Sequence, residues 1–450
     1  MTEPSRTLDE AATEPYPAPA IGWYAVAVLT VAYVFSFIDR SILTLLVGPI
    51  RDDLGISDTQ LSLLHGFAFA IFYTTLGIPI ALLADRLNRR NIIAIGTAFW
   101  SAATAACGLA ASFWQLFLAR VGVGVGEAAL SPAAYSMIAD LFAPQRLGRA
   151  LAVYTLGAFA GAGLAYLIGG GVVALVTSAG VVSLPLIGEV RPWQLVFFIV
   201  GLPGLIVALW VLTLPEPVRR HVAVAPVAGL GGALTAFGRY MRAHWQTYAA
   251  HLAGFSLLGI VFNATLAWTP AYLIRVFGLT PGRAGFWLGL ILLVAGTVGV
   301  LAGGWLTDRL RAAGRIDSTM RVGVLSALAA LPFAATATIV PSFPLFLVLY
   351  TAMMLFVTMP YGAAAAAIQI VTPPQMRAVA SSIYLCCLNL VGLGAGPTIV
   401  ALLTDFLFGR DAAVGGSIAI MNAIAAPLAA LVLWWGLPHF RRTAETLAAR

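Results

Sequence analysis

The sequence predicts an all-α, polytopic membrane protein whose twelve membrane-spanning helices form two six-helix bundles related by pseudo-symmetry. Three observations predict this fold. Sixty per cent of the 450 residues are hydrophobic and only 10% are charged, whereas soluble domains carry about 25% charged residues. Apolar runs recur along the whole chain, and each reaches the roughly 20 residues that a helix needs to cross a bilayer. Short motifs of the first half also return in the second half.

The apolar runs give the elements in order. We place the first six helices at 22–48, 60–84, 92–111, 113–139, 150–173 and 193–214. We place the last six at 246–274, 284–307, 321–340, 343–368, 378–404 and 415–437. A linker containing Pro and Gly separates the two sets, and its residues 234–245 are expected to form a short helix at the membrane interface. The predicted domains are a disordered cytoplasmic tail, an N-terminal bundle, a cytoplasmic linker, a C-terminal bundle and a second cytoplasmic tail, at 1–20, 21–214, 215–245, 246–437 and 438–450.

The arginines give the orientation. Of the 25 arginines, 18 lie in the tails and in the loops after even-numbered helices, 5 lie in the loops after odd-numbered helices, and Arg40 and Arg120 lie inside helices. Because positive residues accumulate on the cytoplasmic side, both termini are predicted to face the cytoplasm from the inner (plasma) membrane. The net charge of +7 does not indicate nucleic acid as a partner, since the arginines lie in short loops and not along one solvated face.

The composition also excludes several kinds of chemistry. The chain contains no lysine, which excludes the P-loop lysine of ATP-binding sites and a Schiff-base lysine. The cysteines Cys107, Cys386 and Cys387 lack the spacing of a metal site. No pairing of a nucleophile with a base is evident. We therefore expect no catalytic residues, no cofactor, no metal and no enzymatic activity.

Two motifs of the first half are repeated in the second. "ALLADRLNRR" (81–90) returns as "GGWLTDRLRAAGR" (303–315), and "APQRLGRALA", after the fourth helix, returns as "PPQMRAVASS", after the tenth. Together with "RVGVGVGEA" (120–128), these motifs resemble the major facilitator superfamily. The further pieces "FIDR", "GTAFWS", "IADLFAPQRLGR" and "GAGLAY" are similar to the Spinster family of lipid transporters. The resemblance implies alternating access, with a substrate path between the two bundles.

Two charged residues stand deep in apolar helices. A charge at mid-bilayer costs at least about 2.5–3.5 kcal/mol and needs a partner or a wet cavity. Asp39 and Arg120 are nine and seven residues from the outer ends of their predicted helices, at depths of about 13 and 10 Å. The resemblance places both helices around the central cavity, so we predict that Asp39 faces Arg120 there. The pair would couple a proton to substrate, and Arg120 would also bind an anionic head group. The alternative is a static ion pair that locks helix packing.

Three further polar residues have open roles. Arg40 follows Asp39 and points about 100° away from it, either towards substrate head groups or outwards to the membrane surface. Glu127 lies two turns after Arg120. Its role is that of a second proton site, of a partner that holds Arg120, or of a structural acid bonded to nearby backbone. His65 is either a partner in proton transfer or a satisfied polar residue near the start of its helix.

The repeated loops resemble the superfamily's gating motif, in which an aspartate contacts the other half of the transporter and closes the cytoplasmic side. The residues that the resemblance assigns to this gate are Asp85, Arg86, Arg89, Arg90, Asp308 and Arg309. The alternative is that these basic loops only fix the topology.

The two halves differ in polarity, because the deep helices of the second half carry no acid or base. One charged half and one apolar half suit an amphiphile, whose head would bind in the first half and whose tail would lie along the second. The candidate substrate-binding residues are Ser36, Arg40, Arg120, Ser131, Tyr166, Asn263, Tyr361, Tyr384 and Asn389.

The sequence therefore predicts a monomeric, proton-coupled secondary transporter of a lysophospholipid or sphingosine-phosphate-like amphiphile. Its expected partners are that lipid, protons and the bilayer. One alternative is a proton-coupled transporter of soluble organic anions, drugs or sugars on the same fold. A second alternative, from another class, is a lipid scramblase or a lipid sensor that does not transport.

Overall fold

The computed structural model describes residues 16–84, 87–180, 182–185, 188–219 and 229–448, and it confirms the predicted all-α fold. Helix carries nearly all of the described chain. The first six spans, α1 to α6, are Pro19–Leu45, Asp58–His65 with Phe67–Ala84, Arg89–Cys107, Phe113–Glu127 with Leu130–Leu141, Pro144–Ala179, and Pro192–Gly201 with Pro203–Val211. The last six, α7 to α12, are Trp245–Phe277, Pro281–Ala312, Ser318–Thr336, Phe343–Thr358 with Pro360–Ile370, Arg377–Cys387 continued to Phe408, and Val414–Ala448.

Ten helices in the described ranges are long and apolar enough to cross a membrane. The two other spans are α2, which is interrupted at Gly66, and α3, which is as long as α9 but begins with Arg89, Arg90 and Asn91. We call the side that holds the start of α1 and the end of α12 the inner side and the opposite side the outer side. Two helices extend beyond their predicted ends. Helix α5 begins at Pro144, a residue well suited to the first turn, and α12 continues to Ala448 and does not end near 437.

The two bundles meet along two seams, and glycines allow the helix backbones to approach closely at both. Between α5 and α8, a Cβ on Gly163 would lie 2.9 Å from the Gly289 carbonyl oxygen. Between α2 and α11, a Cβ on Gly66 would lie 2.6 Å from the Leu393 carbonyl oxygen. Small residues allow backbones to approach in this way where no water drives helix association. The glycine-rich sequence of α5 is therefore a packing surface between the bundles.

Three smaller elements lie outside the spans. The linker contains the helix Gly229–Ala243, close to the interfacial helix expected there, and buries Phe237 against the C-terminal bundle. On the outer side, a short helix, Val47–Leu54, follows α1. An antiparallel hairpin of Val182–Leu184 and Gly188–Val190 joins α5 to α6.

Within the described residues, π-helical segments occur in the C-terminal bundle. They lie in α8 and α11, at Leu292–Gly296, Leu388–Ala395 and Leu403–Phe408. Such segments widen a helix locally and occur often at functional sites. Two of them flank the seams that join the bundles.

Candidate functional site

A buried ion pair joins α1 to α4 inside the N-terminal bundle. The Arg40 Nε donates to Glu127 Oε2 at 2.6 Å, and Arg40 Nη2 lies 2.5 Å from the same oxygen. The guanidinium also lies over aromatic rings, 4.3 Å from the Phe69 centroid and 5.1 Å from that of Tyr73. The idea that Arg40 extends outwards to the membrane surface is wrong. An ion pair with aromatic faces around it stabilises the charge inside the bundle.

Arg120 and Asp39 are brought together, but through the backbone. Arg120 Nη1 donates to the main-chain oxygen of Asp39 at 3.0 Å, and both side chains are 1% exposed. The Asp39 Oδ1 and Arg120 Nε have no hydrogen-bond partner among the described residues. Side chains of Trp100 and Thr104 on α3 lie beside the carboxylate. The predicted contact of the Asp39 carboxylate with the Arg120 guanidinium is not made in this conformation.

Glu127 also differs from one of its expected roles. Its carboxylate bonds Arg40 and not Arg120, because the Arg40 side chain from α1 reaches it across the bundle. The second oxygen, Oε1, is buried without a partner in the described chain. The two acids and two bases therefore form a buried cluster with one ion pair, one backbone contact and unused polar atoms.

Tyrosines surround the inner side of this cluster, and sequence reasoning missed them. The rings of Tyr33 and Tyr154 stack at 4.9 Å, and Tyr135 packs edge-on against Tyr154 at 5.3 Å. Tyr135 is 41% exposed, and Ser131 lies beside the hydroxyls of Tyr33 and Tyr154. The available signal was spacing, since Tyr33 precedes Arg40 by seven residues and therefore shares its helix face.

Two of the predicted substrate-binding residues have other roles in this structure. Ser36 is buried, and its hydroxyl donates to the Tyr33 carbonyl oxygen at 2.9 Å. Tyr166 is buried in α5 and donates to the Leu266 carbonyl oxygen of α7 at 2.7 Å. Tyr166 therefore joins the two bundles towards the outer side and does not line the tyrosine-rich region.

The candidates of the C-terminal bundle lie around a narrow apolar crevice. Tyr361 contacts Phe262 at 5.2 Å and Phe159 of the other bundle at 5.5 Å. Asn263 is partly buried, and its amide donates to the Gly259 carbonyl oxygen, while Asn389 is partly exposed in the π-helical segment of α11. The crevice is lined by Phe255, Leu258, Gly259, Pro360, Tyr361, Ala364, Tyr384 and Leu388.

The outer side is closed by ion pairs that the sequence did not reveal. Asp58, in the first turn of α2, is buried and accepts two hydrogen bonds from Arg275 of α7, at 2.6 and 2.8 Å. Arg51 lies 3.0 Å from Asp58 and 2.8 Å from Asp411 of the other bundle. In the sequence, Arg51 and Arg275 indicated only the topology. Asp58 was missed because an acid in the first turn of a helix is already explained by its favourable interaction with the helix dipole.

Two more contacts complete the outer closure. The Thr59 amide and hydroxyl both donate to Asp405 Oδ2, at 2.8 and 2.7 Å. The Ser62 hydroxyl donates to Thr398 at 3.2 Å. These contacts tie α2 to α11 across the two bundles and seal the central region from the outer side.

The predicted gating arginines bind within the N-terminal bundle. Arg89 is 1% exposed and contacts Asp140 at 2.5 Å and Glu216 at 2.8 Å. Arg90 donates from its backbone to Glu216 and from its side chain to the Leu214 carbonyl oxygen. These bonds hold the inner ends of α3, α4 and α6 together.

The remaining gating candidates are placed as follows. Asp85 and Arg86 lie outside the described residues. Asp308 and Arg309 are exposed on the inner side, and the Arg309 guanidinium lies 5.2 Å from the Trp305 ring. The described hydrogen bonds and ion pairs between the two bundles thus lie towards the outer side.

Comparison with known proteins agrees with this architecture. The family profile of the Major Facilitator Superfamily matches residues 29–397. An MFS-type efflux pump of Mycolicibacterium smegmatis is 31% identical over 446 residues, which is 98% of each chain. Human spinster homolog 1 is 27% identical over 410 residues, covering 85% of this chain and 73% of that protein.

The structural comparison points the same way. A bacterial homologue of the human lysosomal transporter Spinster, in an inward-facing and unoccupied conformation, superposes with a TM-score of 0.77. It is 26% identical, and the match covers 96% of this chain and 99% of that one. Its inward-facing state is consistent with the outer closure through Asp58, Arg275 and Asp405. The repeated motifs, the two six-helix bundles and these matches show that the chain belongs to the major facilitator superfamily and is a membrane transporter of the Spinster type.

Proposed function

We propose that this transporter couples proton movement to the movement of an amphiphile with an anionic head group. The observation that carries the proposal is the buried cluster of Asp39, Arg40, Arg120 and Glu127 on α1 and α4. A bundle interior in lipid holds such charges only at considerable cost, and intramembrane charges commonly mark substrate and proton paths.

The unequal pairing of the two acids suggests how a proton enters the cycle. Glu127 has Arg40 as an ion-pair partner, whereas the Asp39 carboxylate has none in the described chain. An ionised carboxylate without a partner is costly in an apolar interior, so a bound proton on Asp39 suits this conformation. Loss of that proton would draw Arg120 from the Asp39 backbone oxygen to the carboxylate.

The same rearrangement would couple the proton to the substrate. Guanidinium groups bind phosphate or carboxylate groups by two parallel hydrogen bonds, and Arg40 and Arg120 stand at the head of the tyrosine-rich region. A proton on Asp39 leaves Arg120 available for an anionic head group, and an ionised Asp39 competes for it. The apolar crevice beside Tyr361 and Tyr384 would accept part of an acyl chain.

Uptake of a fluorescent lysophospholipid into proteoliposomes, with and without an imposed pH gradient, tests the proposal. Gradient-driven uptake by the wild type is expected, and Asp39→Asn and Arg120→Ala should abolish it. Glu445→Gln, which removes an exposed carboxylate at the end of α12, is the matched control and should transport normally. Uptake that ignores the gradient would indicate a scramblase instead.

The second candidate function is proton-coupled export of a soluble or drug-like molecule. Similarity to the mycobacterial protein named an efflux pump, at 31% identity over nearly the full length, favours it. The narrow crevice in the C-terminal bundle also offers limited room for a long acyl chain. A folded protein that moves no lysophospholipid, but moves organic anions in the same gradient, would select this function.

A further inference from the structure

His65 is a buried histidine without hydrogen-bonding partners. It is 8% exposed, and neither ring nitrogen has a hydrogen-bond partner among the described residues. The Leu43 carbonyl oxygen of α1 lies beside the ring but does not form a hydrogen bond of normal geometry with either nitrogen. A buried polar group without a partner costs free energy, and each such group in a native structure calls for an explanation.

The position of His65 connects the buried charges with the outer closure. It ends the first segment of α2, immediately before Gly66, where α2 touches the backbone of α11. From α1, the Leu43 carbonyl lies beside the ring, and Leu43 is one turn outwards of Asp39 on the same face. His65 thus lies between Asp39 and the outer end of the bundle.

Besides Leu43 of α1, the groups that face His65 come from α4, α7 and α11. Arg120 on α4 is the charged group within electrostatic reach of the ring. Trp268 on α7 lies 6.3 Å away, and the Arg275 guanidinium lies on the Trp268 ring at 5.8 Å. Backbone groups of α11 complete the surroundings at Gly66.

Trp268 separates His65 from the outer ion pairs. The indole is fully buried and donates to the Pro397 carbonyl oxygen of α11 at 2.8 Å. Its neighbour Arg275 forms the bidentate bond to Asp58. When α2 separates from α7 and α11, Trp268 and Arg275 move away from the histidine together, and the ring becomes accessible from the outer side.

We propose that His65 is the outer proton-accepting site of this transporter and passes its proton to Asp39. The inference rests on the proposed proton coupling. A ring nitrogen binds a proton from the outer aqueous phase and forms an imidazolium. The proton then moves to a carboxylate oxygen of Asp39, directly or through water, which leaves a neutral imidazole and a neutral carboxyl group.

Burial and the nearby Glu127 carboxylate give this transfer its direction. Both favour a neutral carboxyl group on Asp39 and outweigh the opposing charge of Arg120, while Arg120 also disfavours an imidazolium on His65, so a proton on His65 moves on to the Asp39 carboxylate. The Asp39 Oδ1, which is buried and without a partner in the described chain, is the atom that accepts the proton. Closure of the outer side behind the proton would prevent its return.

The test compares two histidines in the full-length protein. Wild type, His65→Gln and His439→Gln are reconstituted, and uptake of a fluorescent lysophospholipid is measured in a pH gradient and as exchange without a gradient. The control is His439 rather than His251, because the His251 ring packs against Tyr384 of the crevice. His439 lies in the inner part of α12 against Trp435 and belongs neither to the charge cluster nor to the crevice lining.

His65→Gln should lower gradient-driven uptake by about 100-fold, the lower end of what a proton-transfer group contributes. Its exchange without a gradient should remain within about twofold of wild type, and its dependence on outer pH between about 5 and 8, where a histidine titrates, should disappear. His439→Gln should keep both gradient-driven uptake and the pH profile.

Three outcomes would contradict the proposal. A wild-type pH profile and gradient-driven uptake in His65→Gln would overturn the role of His65 alone. Loss of exchange as well as of coupled uptake would assign His65 a structural role. Absence of gradient-driven uptake in the wild type would overturn the proposed function, and this inference with it.

Discussion

The two bundles share a fold but differ in the charge of their buried groups without partners. In the N-terminal bundle, Asp39, Arg120 and Glu127 keep buried charged-group atoms without partners in the described chain, and His65 does so as well. In the described C-terminal bundle, the buried side-chain atoms without partners belong to neutral hydroxyls and one histidine nitrogen, those of Ser256, Ser318, Thr319 and His251, while other buried polar side chains are paired. Asn422 donates to the Thr265 hydroxyl at 3.1 Å and to the Ala334 carbonyl oxygen at 3.1 Å.

This difference separates chemistry from movement. Unsatisfied charged groups are expensive, so a bundle that retains them uses them for binding or proton transfer. Among its described residues, the C-terminal bundle has no acid or arginine with a buried atom that lacks a partner, and its α8 and α11 carry the described π-helical segments. We infer that the N-terminal bundle binds proton and head group, while the C-terminal bundle supplies an apolar wall and flexible seam helices.

The largest effect is expected when one member of the Arg40–Glu127 pair is removed, because this tests whether the charges of the N-terminal bundle serve function. Arg40→Ala leaves a buried carboxylate without its partner, so the free energy of unfolding should fall by about 3–5 kcal/mol. The double variant Arg40→Met/Glu127→Leu should regain most of this stability, because no buried charge remains. Thermal unfolding in detergent measures both effects, with proteoliposome uptake beside it.

The double variant separates stability from function. It should be folded and inactive, since the charges serve transport and not the fold. Full transport by the double variant would show that the charges of the pair are not needed for transport. The matched change in the C-terminal bundle, Thr265→Val, removes an Asn422 contact and should cost about 1 kcal/mol without abolishing uptake.

The next effect concerns which side of the transporter is closed. Asp58→Asn weakens the bonds from Arg275 and Arg51, and charged hydrogen bonds contribute about 1.5–3 kcal/mol each. The ratio of outer-open to outer-closed molecules should therefore rise by roughly 30-fold, which corresponds to about 2 kcal/mol. Labelling of Ser62→Cys, at a position bonded to Thr398 when the outer side is closed, measures this ratio after replacement of the three native cysteines.

A second outer acid provides the control for that measurement. Asp53 pairs with Arg191, and both belong to the N-terminal bundle. Asp53→Asn should leave the labelling rate unchanged, because its ion pair does not cross the seam. Equal labelling in Asp58→Asn and wild type would mean that the Asp58–Arg275 bonds do not hold the outer side closed.

The sequence was sufficient for the fold and for the location of the charge cluster. Apolar runs identify spans because length and hydropathy act locally. Asp39 and Arg120 are conspicuous because charges are rare inside such runs. The pairing could not be read in the same way. Asp39 and Arg40 are adjacent, and only the packing of α1 on α4 decides that Arg40 reaches Glu127 while Asp39 presents its backbone to Arg120.

Residues with an ordinary local explanation were the ones missed. Asp58 looks like an acid at a helix start, and its bonds to Arg275 depend on contact between bundles far apart in sequence. Tyr33 and Tyr135 look like ordinary aromatic residues of apolar helices, although they surround the charge cluster. The spacing of Tyr33 from Arg40 places both on one helix face, but the approach of the other tyrosines to Tyr33 comes from tertiary structure.

The smallest expected effect lies at the inner rim of the C-terminal bundle, where a charge is paired outside the membrane span. Burial raises the pKa of Asp317, but hydrogen bonds from Arg321 and Arg441 outweigh it and hold the pKa below its usual value. A lowered folded pKa means that the network stabilises the protein above the pKa of an unfolded aspartate, about 3.9, and that this contribution is lost as the pH falls further.

Asp317→Asn should therefore lower the melting temperature slightly at pH 7 and have a smaller effect at pH 3, where part of the contribution is lost. The difference should correspond to under about 1 kcal/mol, because both arginine partners are partly exposed to solvent. Lysophospholipid uptake should be unchanged, in contrast to every substitution in the N-terminal cluster. A loss of uptake in Asp317→Asn, with the protein still folded, would place a functional charge in the C-terminal bundle and end the division of roles between the two bundles.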